Sequence, residues 1–228
     1  MKAFKKTLNY LDFIYKLPQQ FYVFLFIIFI SGCASTKKIE DINICSSTSL
    51  PCLSSTEYVL LITNKGKIKL ELYGELAPIT VGNFIDLVEK NAYDKTIFNR
   101  VISKPYPFIV AGGDNISIKS KNKFIDGQTA KIRYIPLEIK LKNNYLPTYG
   151  KEIDIATQKN NIELKHKRSY LSMARSNTLN SSSSQFYISL KSLPELDGRY
   201  AVFGKVIRGM DIVELIQEED FIVEAKRL

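Results

Sequence analysis

The chain has 228 residues, 45% of them hydrophobic and 24% charged, which is enough apolar material for one sizeable core and far from a disordered composition. Eleven Gly and eight Pro exclude a collagen-like or Pro-rich polymer, three Cys are too few for a disulfide-built scaffold, and one His without paired CxxC or HExxH motifs argues against a zinc centre. Thirty-two Lys+Arg against 23 Asp+Glu give +9, which suits nucleic acid, an anionic membrane face or acidic partners without choosing among them.

Residues 1–20 carry Lys2, Lys5, Lys6 and Lys16 against Asp12, and Phe21–Ile30 is an unbroken apolar run. As a helix that run spans about 15 Å, half the hydrocarbon core of a bilayer, so it reads as the apolar centre of a signal peptide and not as a membrane span. Ile30-Ser31-Gly32-Cys33 resembles the lipobox of bacterial lipoproteins. The expectation is a signal peptide over 1–32 and acylation of Cys33, with an uncleaved signal anchor as the other reading. Loss of 1–32 lowers the formal charge to +6. The remaining Lys are dispersed without Arg-rich helices, so a solvated basic surface is expected and nucleic-acid binding is not. Cys45 and Cys52 then form an even pair that could close a small loop in an oxidising compartment, or stay as free thiols.

Residues 33–56 are rich in Ser, Thr and Lys without periodicity and are expected as a flexible tether, with the folded domain over 57–228. Tyr58–Thr63 and Lys67–Tyr73 flank Asn64-Lys65-Gly66, and Ile68, Leu70 and Leu72 alternate with charged residues, so a half-buried hairpin is predicted. Pro78 opens a segment with Val81, Phe84, Ile85 and Val88 at helical spacing. Short strands follow at Ile97–Val101, Phe108–Gly112, Ala130–Ile135, Tyr170–Ala174, Gln185–Leu190, Ala201–Val206 and Phe221–Lys226, with a second helix near Met210–Ile216. This alternation predicts a mainly β chain closed into an antiparallel barrel. The polar, Lys- and Asn-rich stretch 138–168 is expected as an insertion or lid-like loop. His166, within Lys165-His166-Lys167-Arg168, reads as part of a solvated loop, and Ser181–Ser184 as a turn, because no nucleophile elbow surrounds it.

Four blocks in order resemble the cyclophilin family of peptidyl-prolyl cis-trans isomerases. They are Ile68–Val88; Phe98-Asn99-Arg100-Val101-Ile102 with Phe108 through Gly112-Gly113-Asp114; Ser169–Ser189; and Leu196-Asp197-Gly198 through Val206. Ile135-Pro136-Leu137-Glu138 is similar to a turn of bacterial members. The resemblance implies a closed eight-stranded antiparallel barrel capped by two helices, rotation of X-Pro bonds in envelope proteins without cofactor or metal, and Arg100 as the catalytic group. It implies substrate contacts at Phe108, Ile109, Ala111, Ala174, Arg175, Gln185, Tyr187, Leu196 and Tyr200. Where the family has His, Gln, Trp or Phe, and His, this chain has Asn99, Ala111, Glu195 and Tyr200. Ala111 removes a side-chain donor and acceptor, and Ser103–Pro107 lengthens the link before Phe108. A catalytically weak module that binds proline segments or a partner is therefore the alternative. The expected partners are proline-containing polypeptides and, through acylated Cys33, a membrane; the expected state is a monomer on the periplasmic face of an outer membrane.

Overall fold

A computed structural model describes residues 44–113, 124 and 131–228. The lipobox, Cys33 and residues 34–43 of the expected tether lie outside the described residues. So do Asp114 of the second block and most of 114–130.

Eight strands form one antiparallel sheet in the order β10-β1-β2-β9-β7-β8-β4-β3. The predicted hairpin is β1 (Thr56–Thr63) and β2 (Gly66–Tyr73), with Leu61 opposite Ile68 and Val59 opposite Leu70. All four are fully buried, as alternation on a one-sided sheet requires. The other strands are β3 (Arg100–Ile102), β4 (Ile109–Gly112), β7 (Tyr170–Met173), β8 (Phe186–Ser189), β9 (Val202–Arg208) and β10 (Ile222–Arg227). Of the predicted strand Ala130–Ile135, the described residues 131–135 do not form a strand of this sheet; Ile135 makes an isolated bridge to Ser182.

The sheet is a half-barrel that stays open, which corrects the expected closed barrel. Its end strands, β3 and β10, form no ladder with each other. The chain approaches closure only ahead of them, where Lys95, Thr96 and Phe98 exchange backbone hydrogen bonds with 219–222 around a bridge between Ile97 and Phe221. β3 is only three residues long, because Ile97 and Phe98 are engaged there instead. Among the described residues three helices accompany the sheet where two were expected: α1 (Pro78–Glu89), α2 (Ile155–Gln158) and α3 (Met210–Leu215).

Helix α1 fills the sheet's concave side, its Phe84 meeting the rings of Tyr93, Phe186 and Phe203 at centroid distances of 4.8, 5.5 and 5.3 Å. Its first turn has no side-chain cap from Ala77. Glu138, fully buried and 58 residues further on, accepts from the Thr80 amide at 2.8 Å and the Thr80 hydroxyl at 2.6 Å, while its other oxygen faces the Ile79 amide at 3.2 Å. A distant carboxylate thus satisfies the donors a local cap would have met.

Where a tether is expected, residues 44–55 lie as a strap on α1. Cys45 and Cys52 form a disulfide, Leu50, Cys52 and Leu53 pack on the main core, and the Leu53 amide donates to Pro78 O at 3.0 Å. The strap covers the face of α1 that an amphipathic helix would leave wet. Gly82 permits this contact, since a Cβ there would stand 2.4 Å from the Cys52 nitrogen. Removing the disulfide by Cys45→Ser/Cys52→Ser should cost about 2.5 kcal/mol on loop-entropy grounds. Urea unfolding with and without reductant measures it: wild type should fall to the variant's midpoint on reduction, and the variant should not respond.

The stretch expected as a lid-like loop is a small layer with its own core. β5 (Glu138–Ile139) pairs with β6 (Thr148–Tyr149), and Leu137, Ile139, Leu141, Ile153 and Ile162 pack together with Ala201. The Ser-rich turn is structural too: Asn83 of α1 donates to Ser183 O and Tyr93 to Ser184 O. Among the described residues no helix is long and apolar enough to cross a membrane.

Candidate active site

Alternation along β4, β8 and β7 divides the residues between two faces. Val110, Ile188 and Leu171 stand opposite one another and belong to the main core. The next row, Arg100 opposite Ala111, Ala111 opposite Tyr187 and Tyr187 opposite Ser172, shares the other face, because side chains paired across an antiparallel ladder point the same way. That face carries a separate apolar cluster of Ile109, Tyr187 and Leu193, with Phe108, Ala111, Ala174, Leu196 and Tyr200 packed against it. Seven of the nine substrate contacts implied by sequence therefore meet in one place, and Arg100 stands in the same row at the sheet edge.

Arg100 is exposed and its side chain makes no hydrogen bond or ion pair with another described residue, so its planar fork of donors is available to a ligand. The long link before Phe108 does not detach that residue. Its amide donates to Ile102 O at 2.8 Å and its carbonyl accepts from Leu190 at 2.9 Å, so the extra residues 103–107 bulge outward between fixed ends.

On the far side, Ala174 continues β7 and its amide donates to Gln185 O at 2.9 Å, which brings the remaining two contacts, Arg175 and Gln185, to the same edge. The Arg175 side chain is nearly buried. It donates to Arg199 O, Ser176 O and the Glu152 carboxylate, and its guanidinium carbon lies 4.8 Å from the centre of the Tyr200 ring. Tyr200 meets Tyr187 edge-on at 5.9 Å. Arg175 is therefore committed to holding Tyr200, and Arg100 is the cation of this site whose side chain has no partner among the described residues. Glu195 lies exposed on the short 3-10 turn Pro194–Leu196.

His166 corrects the expectation of a solvated loop. Its imidazole is fully buried, with Nδ1 2.9 Å from an oxygen of Asp197 and Nε2 2.9 Å from the Tyr187 hydroxyl. Burial pushes the Tyr187 hydroxyl well above the usual tyrosine range, so it stays protonated. The flanking Lys165, Lys167 and Arg168 concealed this in the sequence. The better signal was Asp197, an acid inside an apolar motif that needs a buried donor.

The family model for the cyclophilin type peptidyl-prolyl cis-trans isomerase/CLD matches residues 58–227. The chain belongs to the cyclophilin family. This cyclophilin is 36% identical over 188 residues to a putative thylakoid lumen peptidyl-prolyl cis-trans isomerase of Synechocystis, an alignment covering 78% of this chain and 48% of that protein, so the chain spans about half the length of that relative. It is 35% identical over 159 residues to a peptidyl-prolyl cis-trans isomerase of Acinetobacter baylyi, with 68% of each chain covered. Among solved structures, a Cryptosporidium parvum cyclophilin type isomerase superposes with a TM-score of 0.57 at 29% identity, covering 76% of this chain and 98% of that one. The same protein in the presence of the dipeptide Ala-Pro gives 0.55 at 30% identity, with 74% and 96% covered.

Proposed function

We propose that the chain is a peptidyl-prolyl cis-trans isomerase, with Arg100 as its catalytic group and the Ile109–Tyr187–Leu193 cluster as its proline pocket. The observation that carries this is the row Arg100–Ala111–Tyr187, which sets a guanidinium without a partner among the described residues beside an apolar cluster on the same sheet face. Rotation about an X-Pro bond makes and breaks no covalent bond, so it asks for no nucleophile, metal or redox partner. Its barrier of ~18–20 kcal/mol is lost amide resonance. As the bond twists, the proline nitrogen regains its lone pair, and a fixed donor against that nitrogen and the neighbouring oxygen stabilises the twisted state above either planar one. The apolar wall takes the pyrrolidine ring, and Gln185 with the Ala174–Arg175 edge takes the extended backbone. Presence of Ala-Pro with the Cryptosporidium relative is consistent with a ligand of that size.

A second reading, a module that grips proline segments but turns over slowly, is favoured by Ala111. It stands between Arg100 and Tyr187 without the side-chain amide of the family motif, so its side chain can neither donate to nor accept from the substrate. Isomerisation of an Ala-Pro peptide followed by exchange spectroscopy separates the two. Catalysed exchange supports the isomerase; binding with exchange at the uncatalysed rate supports the module.

The reading extends to a bacterial envelope location, with the chain anchored through acylated Cys33 at the periplasmic face of an outer membrane and acting as a monomer on exported clients. The Cys45–Cys52 disulfide suits an oxidising compartment. Several acyl chains would hold it firmly, at ~0.8 kcal/mol for each buried methylene. Growth in labelled palmitate should mark wild type and leave Cys33→Ser unmarked. Label retained in Cys33→Ser would remove the anchor.

A further inference from the structure

His166 and Asp197 are unused by the mechanism above, yet they are among the most deeply buried polar side chains described, at 0% and 3% exposure. One Asp197 oxygen accepts from the His166 amide at 2.7 Å and lies 2.9 Å from Nδ1. An ionised carboxylate only accepts, so Nδ1 carries the proton; in the neutral ring Nε2 then offers a lone pair. Among the described residues its hydrogen-bond partner is the Tyr187 hydroxyl, at 2.9 Å, and Tyr187 has to donate. The chain of bonds therefore has a single direction, Tyr187 to His166 to Asp197. The two rings are nearly parallel, with 10° between their planes and 6.0 Å between their centres. An apolar floor for a proline ring needs no hydroxyl; this one ties the floor to a buried anchor.

The same residue holds the opposite wall. His166 O accepts from the Leu193 amide at 2.9 Å, and Asp197 closes the 3-10 turn that carries Leu196, its amide donating to Pro194 O at 3.2 Å. Tyr187 is thus held through the His166 imidazole and the Leu193–Leu196 segment through the His166 carbonyl and the Asp197 amide, with the Asp197 carboxylate tying the two together. From this geometry we infer that His166 and Asp197 are positioning residues, which set the plane of Tyr187 and the width of the pocket and so govern how tightly a proline-containing peptide binds. The inference rests on reading the cluster as the proline pocket. It assigns to the pair an effect on substrate affinity, leaving bond rotation to Arg100.

Because His166 is the chain's single histidine, its two imidazole nitrogens can be observed by 15N spectroscopy on the full chain in detergent micelles without assignment ambiguity. In mildly alkaline buffer Nδ1 should be protonated and Nε2 bare. The Nε2 signal should move on Tyr187→Phe and again when an Ala-Pro peptide is added to wild type. In kinetics, Tyr187→Phe should raise KM for that peptide by roughly three- to tenfold, the worth of one neutral hydrogen bond, with kcat within about twofold. His166→Leu should do the same, and His166→Leu/Tyr187→Phe should be no worse than the poorer single variant, since both remove one bond. Tyr187→Phe deletes a single oxygen and keeps the test open if His166→Leu does not fold. A protonated Nε2 indifferent to Tyr187→Phe, a KM that does not change, or additive effects of the two substitutions would overturn the inference. Absence of turnover in wild type would overturn the isomerase reading instead, and the peptide titration of Nε2 would still decide the anchor.

Discussion

Arg100→Ala should slow catalysed isomerisation by roughly a hundredfold, the usual loss when one preorganised donor is removed from a developing charge. The fold should be untouched, because Arg100 is exposed and engages no other described side chain. Its backbone pairing to Ala111 does not depend on the guanidinium. Arg100→Lys should recover only part of the rate: Lys supplies a point charge, whereas facing both the twisted nitrogen and the adjoining oxygen takes a planar fork. The loss should fall on kcat, since Ile109, Tyr187 and Leu193, and with them the proline contacts, remain. Exchange kinetics alongside urea unfolding separate the two effects. An Arg100→Ala protein with wild-type turnover and wild-type midpoint would end the proposed mechanism.

Much of this molecule was legible because a sheet that buries one face writes its pairing into alternate residues. Ile68, Leu70 and Leu72 are core and Lys67, Lys69 and Glu71 are not, as the sequence reads. The site was legible by a different route. Phe108, Ile109, Tyr187 and Leu196 look like ordinary core residues one by one, and only the order of the motifs marked them as lining a second, smaller cluster on the reverse of the sheet.

What was not legible depends on contacts between segments far apart in sequence. Residues 44–55 carry no periodicity, yet a disulfide and Gly82 dock them on α1. The stretch 138–168 is polar on average, yet Ile139, Leu141, Ile153 and Ile162 suffice for a small core. Barrel closure fails for a similar reason. Alternation predicts strands but says nothing of whether the first and last of them meet, and here Ile97 and Phe98 are taken up by 219–222 before β3 begins. His166 was misread because charge in its neighbours was allowed to stand for its own exposure.

The largest stability loss is expected at Glu138. Glu138→Ala should cost about 3–5 kcal/mol, because it strands the amides of Ile79 and Thr80 and the Thr80 hydroxyl in a fully buried place with nothing to accept from them. Against a typical total of about 5–15 kcal/mol, that brings the protein close to unfolding. Glu138→Gln should behave differently. Burial raises the Glu138 carboxyl above its ordinary value more than the bonds from Thr80 and Ile79 lower it, so the neutral acid, which Gln resembles, persists to higher pH in the folded protein than in the unfolded chain. Gln keeps a carbonyl for the Thr80 amide and should stay within about 1 kcal/mol of wild type at neutral pH. The sign of the pH effect follows from the same shift. Folded Glu138 holds its proton more tightly than the unfolded chain does, so its contribution is greatest below the unfolded value of 4.5 and declines as pH rises through the folded value. Glu138→Gln should lose that decline and leave the opposing slope of Asp86 exposed. Burial tends to raise Asp86, but its bonds to Lys90 and Arg133 lower it further, so it stabilises above its unfolded value and less in acid. Urea unfolding at a series of pH values from mildly acidic to neutral tests both points. If the Ala and Gln variants lose stability equally, Glu138 is not the cap of α1 and its burial has another cause.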